Sequence, residues 1–198
     1  MGKIFYIIGK SSTGKDTIYK NLLNNVGAKT QKALKQVCLY TTRPKRTNEV
    51  EGEEYHFIDE TQYNDIKDKG LIIEERSYNT VHGIWRYLTV NDGQFSEDRD
   101  CIIVGVLESF VSTKKFFGED KVIPIYIEIP DEERLQRALI REKQMDTPRY
   151  AELCRRFLAD TEDFAEAKIQ AAGIDRRFVN DDLDRCINEI REYIEEML

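Results

Sequence analysis

A chain of 198 residues with a formal charge of −7 is long enough to bury one sizeable core, and its acidic balance disfavours long nucleic acid while leaving room for a small phosphorylated ligand held by cations gathered in one cleft. No apolar run approaches the ~20 residues of a membrane-spanning helix, and MGKIFYIIGK lacks the apolar core and cleavage site of a secretory signal, so no membrane partner and a cytoplasmic location are expected. Cys38, Cys101, Cys154 and Cys186 lie far apart without a CxxC pair, which argues against zinc or disulfides and predicts buried reduced thiols.

The first element is IFYII (4–8), a continuous apolar run of the kind found in a parallel strand covered on both faces. It ends at Gly9, and a helix pattern follows over 14–25. The segment 37–90 is rich in Tyr, Thr, Arg and Glu and suits a small mixed β insertion, with a helix over 60–69 and the run LIIEE at 71–75. CIIVGV (101–106) and IPIYIEI (123–129) are further buried-type strands, separated by a helix over 106–116. After Pro130, Asp131 is expected to cap a helix over 131–143, with Leu135, Leu139 and Ile140 at helical spacing. Helices are also expected over 147–170 and 182–197, and the charge-dense stretch 141–160 reads as a helical flap. Short apolar strands alternating with amphipathic helices predict an α/β fold.

Gly9, Gly14 and Lys15 match G-x-x-x-x-G-K between a strand and a helix. Glycines let backbone N–H groups and a helix N-terminus converge on phosphate oxygens, and the lysine ammonium reaches the outer phosphates. Where the motif expects Ser or Thr for Mg²⁺ the chain has Asp16, followed by Thr17, so either residue is a candidate for the metal. An ordinary glycine-containing turn would also satisfy three fixed positions, but the strand and helix flanks favour a phosphate cradle. In YTTRPKRTNEVEGEEYHF (40–57), Arg43 and Arg46 flank Pro44 and could fork onto one dianionic phosphate, with the phenol of Tyr55 adding a hydrogen bond. A solvated basic patch is the bland alternative.

The pattern Thr41, Thr42, Arg43, Arg46, Glu49, Gly52, Tyr55 and Phe57 resembles the monophosphate-binding segment of the guanylate kinase family. The resemblance runs nearly the full length, through the phosphate loop, Glu74, VHG at 81–83, PDEERLQRALIRE and FVNDDL at 178–183. It implies a P-loop parallel sheet flanked by helices, with core 1–36, 91–140 and 161–198, a mixed β monophosphate-binding region at about 37–90 and a helical lid at about 141–160, all in one domain. It implies that Arg43, Arg46 and Tyr55 hold the GMP phosphate and that Glu74 accepts from the guanine N–H groups, with His82 and Gly83 at the same site. Lys15 and the backbone of Ser11, Ser12, Thr13, Gly14, Asp16 and Thr17 would hold ATP phosphates with Mg²⁺, and Asn180 would sit beside adenine. Arg137, Arg141 and Arg156 would close over the transferring phosphoryl group, and Lys15 would join them in catalysis. The implied partners are small nucleotides, with the chain acting as a monomer or homodimer.

The sequence departs from that family at three places. Leu39 stands where a guanine-contacting Ser is usual, Val104, Gly105 and Val106 stand where a strand carries carboxylates, and Ser12 stands for a loop glycine. Four readings stay open: a GMP or dGMP kinase, the same reaction on another phosphorylated acceptor, an impaired paralogue that binds nucleotides but turns over slowly, and a phosphopeptide-binding module that does not catalyse. Retention of Gly14 and Lys15 ranks the module last.

Overall fold

The structure is a computed structural model that describes residues 2–25, 34–47, 49–80, 83–95 and 99–198. Its elements in chain order are β1 (Ile4–Ile8), α1 (Lys15–Asn25), β2 (Leu34–Gln36), β3 (Tyr40–Thr41), β4 (His56–Phe57), α2 (Glu60–Asp68), β5 (Ile72–Thr80) and β6 (Gly83–Val90). They continue with β7 (Asp100–Val104), α3 (Leu107–Phe117), β8 (Val122–Glu128), α4 (Asp131–Lys143), α5 (Tyr150–Asp163), α6 (Glu166–Ala171), β9 (Arg177–Val179) and α7 (Leu183–Met197).

Five strands form an all-parallel sheet in the order β2-β7-β1-β8-β9. Alternation along the central strand explains why IFYII carries no polar residue. Ile4, Tyr6 and Ile8 face one apolar layer with Ile103, Phe110 and Phe164, while Phe5 and Ile7 face another with Ile18, Leu22, Ile187 and Ile190. Both faces are covered, as a parallel sheet requires. Because β1 connects to β2 on one side and its neighbour β8 connects to β9 on the other, the crevice beyond their carboxyl ends is the switch point where an α/β sheet binds its ligand.

The second sheet has the order β4-β3-β6-β5, and its long arm is an antiparallel hairpin. A register irregularity between Ile72 and Glu74 sets Glu74 opposite Thr89 and Arg76 opposite Tyr87. Such an irregularity re-aims the side chains that follow it. It leaves Glu74 and Arg76, two residues apart, on one face of β5. That strand packs against α3, so this sheet closes over the carboxyl end of the parallel one.

Several expectations need correction. The strand expected at LIIEE begins at Ile72 rather than Leu71 and runs on beyond Glu75 to Thr80 in the second sheet. The helix expected over 147–170 is two helices, parted at Phe164 and Ala165, because Phe164 is buried against Tyr126 with their rings stacked at 5.9 Å. Asp131 is the first helical residue of α4 rather than its cap, and its carboxylate accepts from Arg134 Nε at 3.0 Å and from Lys10 Nζ at 3.3 Å. All four thiols are free, but Cys154 is exposed while the other three are buried. Burial pushes the Cys38 thiol up to about 12 and that of Cys186 to about 11, which makes both inert packing groups.

Candidate active site

The chain leaves β1 at Ile8 and enters α1 at Lys15, so residues 9–14 form the loop at the carboxyl end of the central strand. Gly14 has φ 89° and a Cβ there would lie 2.3 Å from Asn180 Nδ2, so both conformation and space demand glycine. Ser12 also has a positive φ, 66°, and its hydroxyl is buried with no hydrogen-bond partner. The serine therefore occupies a conformation suited to glycine. Lys15 Nζ lies 4.0 Å from Asp16 Oδ2, beside the exposed Thr17. The carboxylate and hydroxyl are hard oxygen donors at the start of α1, a set that fits Mg²⁺ held chiefly through substrate phosphates.

Asn180, expected beside adenine, lies against the loop itself. It is 2% exposed, and its Nδ2 donates to the Thr13 carbonyl at 2.7 Å, so the side chain braces the loop from below. Its own carbonyl accepts from Arg137 Nη2 at 2.8 Å, which brings that arginine to the loop. Arg141 and Arg156 line a cavity of about 10 Å³ together with Ser11, Ser12, Phe157 and Asp160. Arg155 is held on the exposed side by Glu152 at 2.7 and 2.8 Å.

Sequence reasoning missed two residues here. Arg134 is 1% exposed, lies 3.8 Å over the Phe157 ring and pairs with Asp131 and Asp160. Asp160 Oδ2 in turn accepts from the Ser11 backbone N–H at 2.8 Å. The contact spans 149 positions in the chain, so no local pattern could reveal it.

On the second sheet Arg43 is 3% exposed, and its fork is taken by Glu49 at 2.7 and 2.9 Å. Glu49 also accepts from the backbone N–H of Arg46 at 2.8 Å, while the Arg46 side chain stands exposed beside it. Arg43 lies 5.6 Å from the ring centroids of both Tyr55 and Phe57. Burial pushes the Tyr55 phenol up to about 12, so it stays a protonated donor.

Glu74 and Arg76 pair at 2.6 Å, with side chains 4% and 9% exposed. Thr89 Oγ1 donates to the other Glu74 oxygen at 3.3 Å. Burial raises the Glu74 carboxyl, with Arg76 pulling the other way. Gly83 opens β6 at φ 101° and is exposed, whereas His82 lies outside the described residues. The strand region without carboxylates has a packing reason. A Cβ on Gly105 would sit 2.5 Å from the Tyr6 hydroxyl and 2.7 Å from Ser109 Oγ, so the phenol fills that space. Tyr6 donates to Ser109 at 2.8 Å, and burial pushes its pKa up to about 12. Leu39 likewise packs into the core layer that contains Tyr6.

A glycine-containing loop at the end of a parallel strand, a lysine at the helix start and a facing sheet that carries arginines define the P-loop α/β class. The chain belongs to the guanylate kinase family, whose sequence model, described as guanylate kinase, matches residues 1–197. It is 29% identical over 191 residues to a guanylate kinase of Chromobacterium violaceum, covering 94% of this chain and 81% of the relative. A guanylate kinase of Syntrophomonas wolfei is 27% identical over 202 residues, covering 98% and 91%. The fold matches the crystal structure of guanylate kinase from Anaplasma phagocytophilum with a TM-score of 0.66 at 18% identity, covering 98% of this chain and 85% of that one.

Proposed function

We propose that the chain transfers the γ-phosphoryl group of ATP to a nucleoside monophosphate, with GMP or dGMP as the acceptor. The observation that carries this reading is the presence of two groups of cationic and N–H donors in one chain: the loop with Lys15 at the end of β1, and Arg43 with Arg46 beside β3 of the second sheet. Phosphoryl transfer demands alignment and charge neutralisation rather than a covalent nucleophile, so two such arrays and a few movable cations are sufficient.

In this reading the loop N–H groups and Lys15 hold the donor phosphates. Asp16 and Thr17 would hold Mg²⁺, which offsets charge on the phosphates when bound. Arg43, Arg46 and Tyr55 take the acceptor phosphate, with Glu49 yielding part of its hold on Arg43. Arg137, Arg141 and Arg156 approach from α4 and α5 and neutralise the moving phosphoryl oxygens. Closure of those helices excludes water and so suppresses hydrolysis of ATP. No helix among the described residues is long and apolar enough to cross a membrane. We place the chain in the cytoplasm, acting on free nucleotides as a monomer or homodimer.

The test is ADP formation with ATP, Mg²⁺ and each of GMP, dGMP, AMP, CMP and UMP, with Lys15→Ala as the blank. Turnover that favours GMP or dGMP is expected. ATP binding without turnover on any of these acceptors would overturn the assignment. The burial of Leu39 and the Tyr6 phenol beside Gly105 favour a second reading, in which the same transfer serves another phosphorylated acceptor; a preference within the panel for a base other than guanine would select it.

A further inference from the structure

We propose that Arg76 is a specificity-determining residue that acts with Glu74 to read a 6-oxopurine, its two terminal nitrogens donating to O6 and N7 while the Glu74 carboxylate takes the N1–H and N2–H groups. The inference rests on the kinase reading above and names the feature of the acceptor that the site selects.

Arg76 carries donors that no protein acceptor takes and that are not sealed from solvent. Its Nε donates to Glu74 Oε1 at 2.6 Å, and neither terminal nitrogen has a hydrogen-bond partner among the described residues. Guanidinium donors that stay open while the Nε is fixed are available to a planar ligand with two acceptors. The bond from Nε and the Tyr87 ring beneath, 6.0 Å from Cζ, hold the guanidinium plane in place. Arg76 sits opposite Tyr87 across the β5–β6 hairpin, on the face that it shares with Glu74.

The chemistry of the pair selects the ligand. An ionised carboxylate offers about four lone-pair positions. Glu74 uses one for Arg76 and one for Thr89, which leaves acceptors beside the free Arg76 donors. Guanine presents the complementary order along one edge: N7 and O6 accept, then N1–H and N2–H donate. Adenine puts a donor where O6 would be and an acceptor where N1–H would be, so both members of the pair would face a like group.

Equilibrium binding of GMP, 7-deaza-GMP and AMP, measured by calorimetry without ATP, tests this independently of turnover. Removal of N7 takes away one charge-assisted bond, so 7-deaza-GMP should bind about 5- to 20-fold more weakly than GMP, and AMP more weakly still. Arg76→Lys keeps the positive charge beside Glu74 but loses the planar fork, and should bring the GMP to 7-deaza-GMP ratio to within about twofold of unity. A ratio near unity in the wild-type protein, or the same ratio in both proteins, would overturn the proposal. Absence of GMP binding would also overturn it. GMP binding with this ratio but no turnover would sustain Arg76 as the reader of the base and sink only the kinase reading.

Discussion

The Asp160 carboxylate on α5 accepts a hydrogen bond from the Ser11 backbone N–H at 2.8 Å, and so an internal anion occupies a donor of the phosphate loop. The same oxygen lies 3.2 Å from Arg134, which stacks on Phe157 and leaves α4 and α5 fastened to the loop. Asp160→Asn should remove charge that competes with the donor phosphates. ATP is expected to bind about 3- to 10-fold more tightly by calorimetry, while stability falls by about 1–3 kcal/mol because Arg134 loses a charged partner in a buried setting. Weaker ATP binding would show instead that Asp160 serves the loop by positioning Arg134.

Ser12 is the place where the loop is strained. A non-glycine residue at φ 66° with a buried hydroxyl that lacks a partner carries two penalties, and Ser12→Gly removes both at the expense of some chain entropy. The midpoint of chemical denaturation should rise, by an amount that corresponds to about 1 kcal/mol. A fall of that size would mean that the serine hydroxyl finds a partner in solution.

Glu49 holds Arg43, and its removal leaves a guanidinium that is 3% exposed without its carboxylate. Glu49→Gln should therefore destabilise the protein by about 2–3 kcal/mol, and inorganic phosphate should raise its melting temperature more than that of the wild type by filling the same fork. Desolvation alone would raise the Glu49 carboxyl, but its hydrogen bonds with Arg43 and Arg46 hold it below 4.5. A carboxyl lowered in the folded state contributes stability above its unfolded value and loses it as pH falls. The wild type should accordingly lose stability as pH drops below about 4.5, and Glu49→Gln should show a shallower slope there.

Asn180 supports the loop through the Thr13 carbonyl, and its amide lies where a Cβ at position 14 would go. Asn180→Ala should raise the KM for ATP by about tenfold and lower stability by about 1–3 kcal/mol, because a buried carbonyl loses its donor. Steady-state kinetics at saturating acceptor separates this from an effect on the monophosphate, whose KM should stay within about twofold.

The parallel core was legible because continuous runs such as IFYII have one physical explanation, a strand covered on both sides, and because Gly14 and Lys15 mark the turn that follows it. What the sequence concealed depends on distance along the chain. Phe164 ends α5 through its stacking on Tyr126, with no glycine or proline to announce the break. Arg134 and Asp160 read as surface charges until α4 and α5 bring them together. Arg43 and Glu49 were visible as a motif, but their bidentate pairing was not. The spacing of Glu74 and Arg76 on one strand was an available signal that two long polar side chains share a face, and the register irregularity before Glu74 was not.

The phenol of Tyr6 and the bare backbone of Gly105 also bear on how this chain can change. A carboxylate placed at position 105 by one substitution would collide with the Tyr6 hydroxyl and with Ser109, while shrinking Tyr6 first would open a void in the core beside Phe110. Either single step is worse than the present state, and the two together would still leave the Ser109 hydroxyl 2.7 Å from the new Cβ. The positions thus form an epistatic lock that keeps this stretch of the strand free of carboxylates.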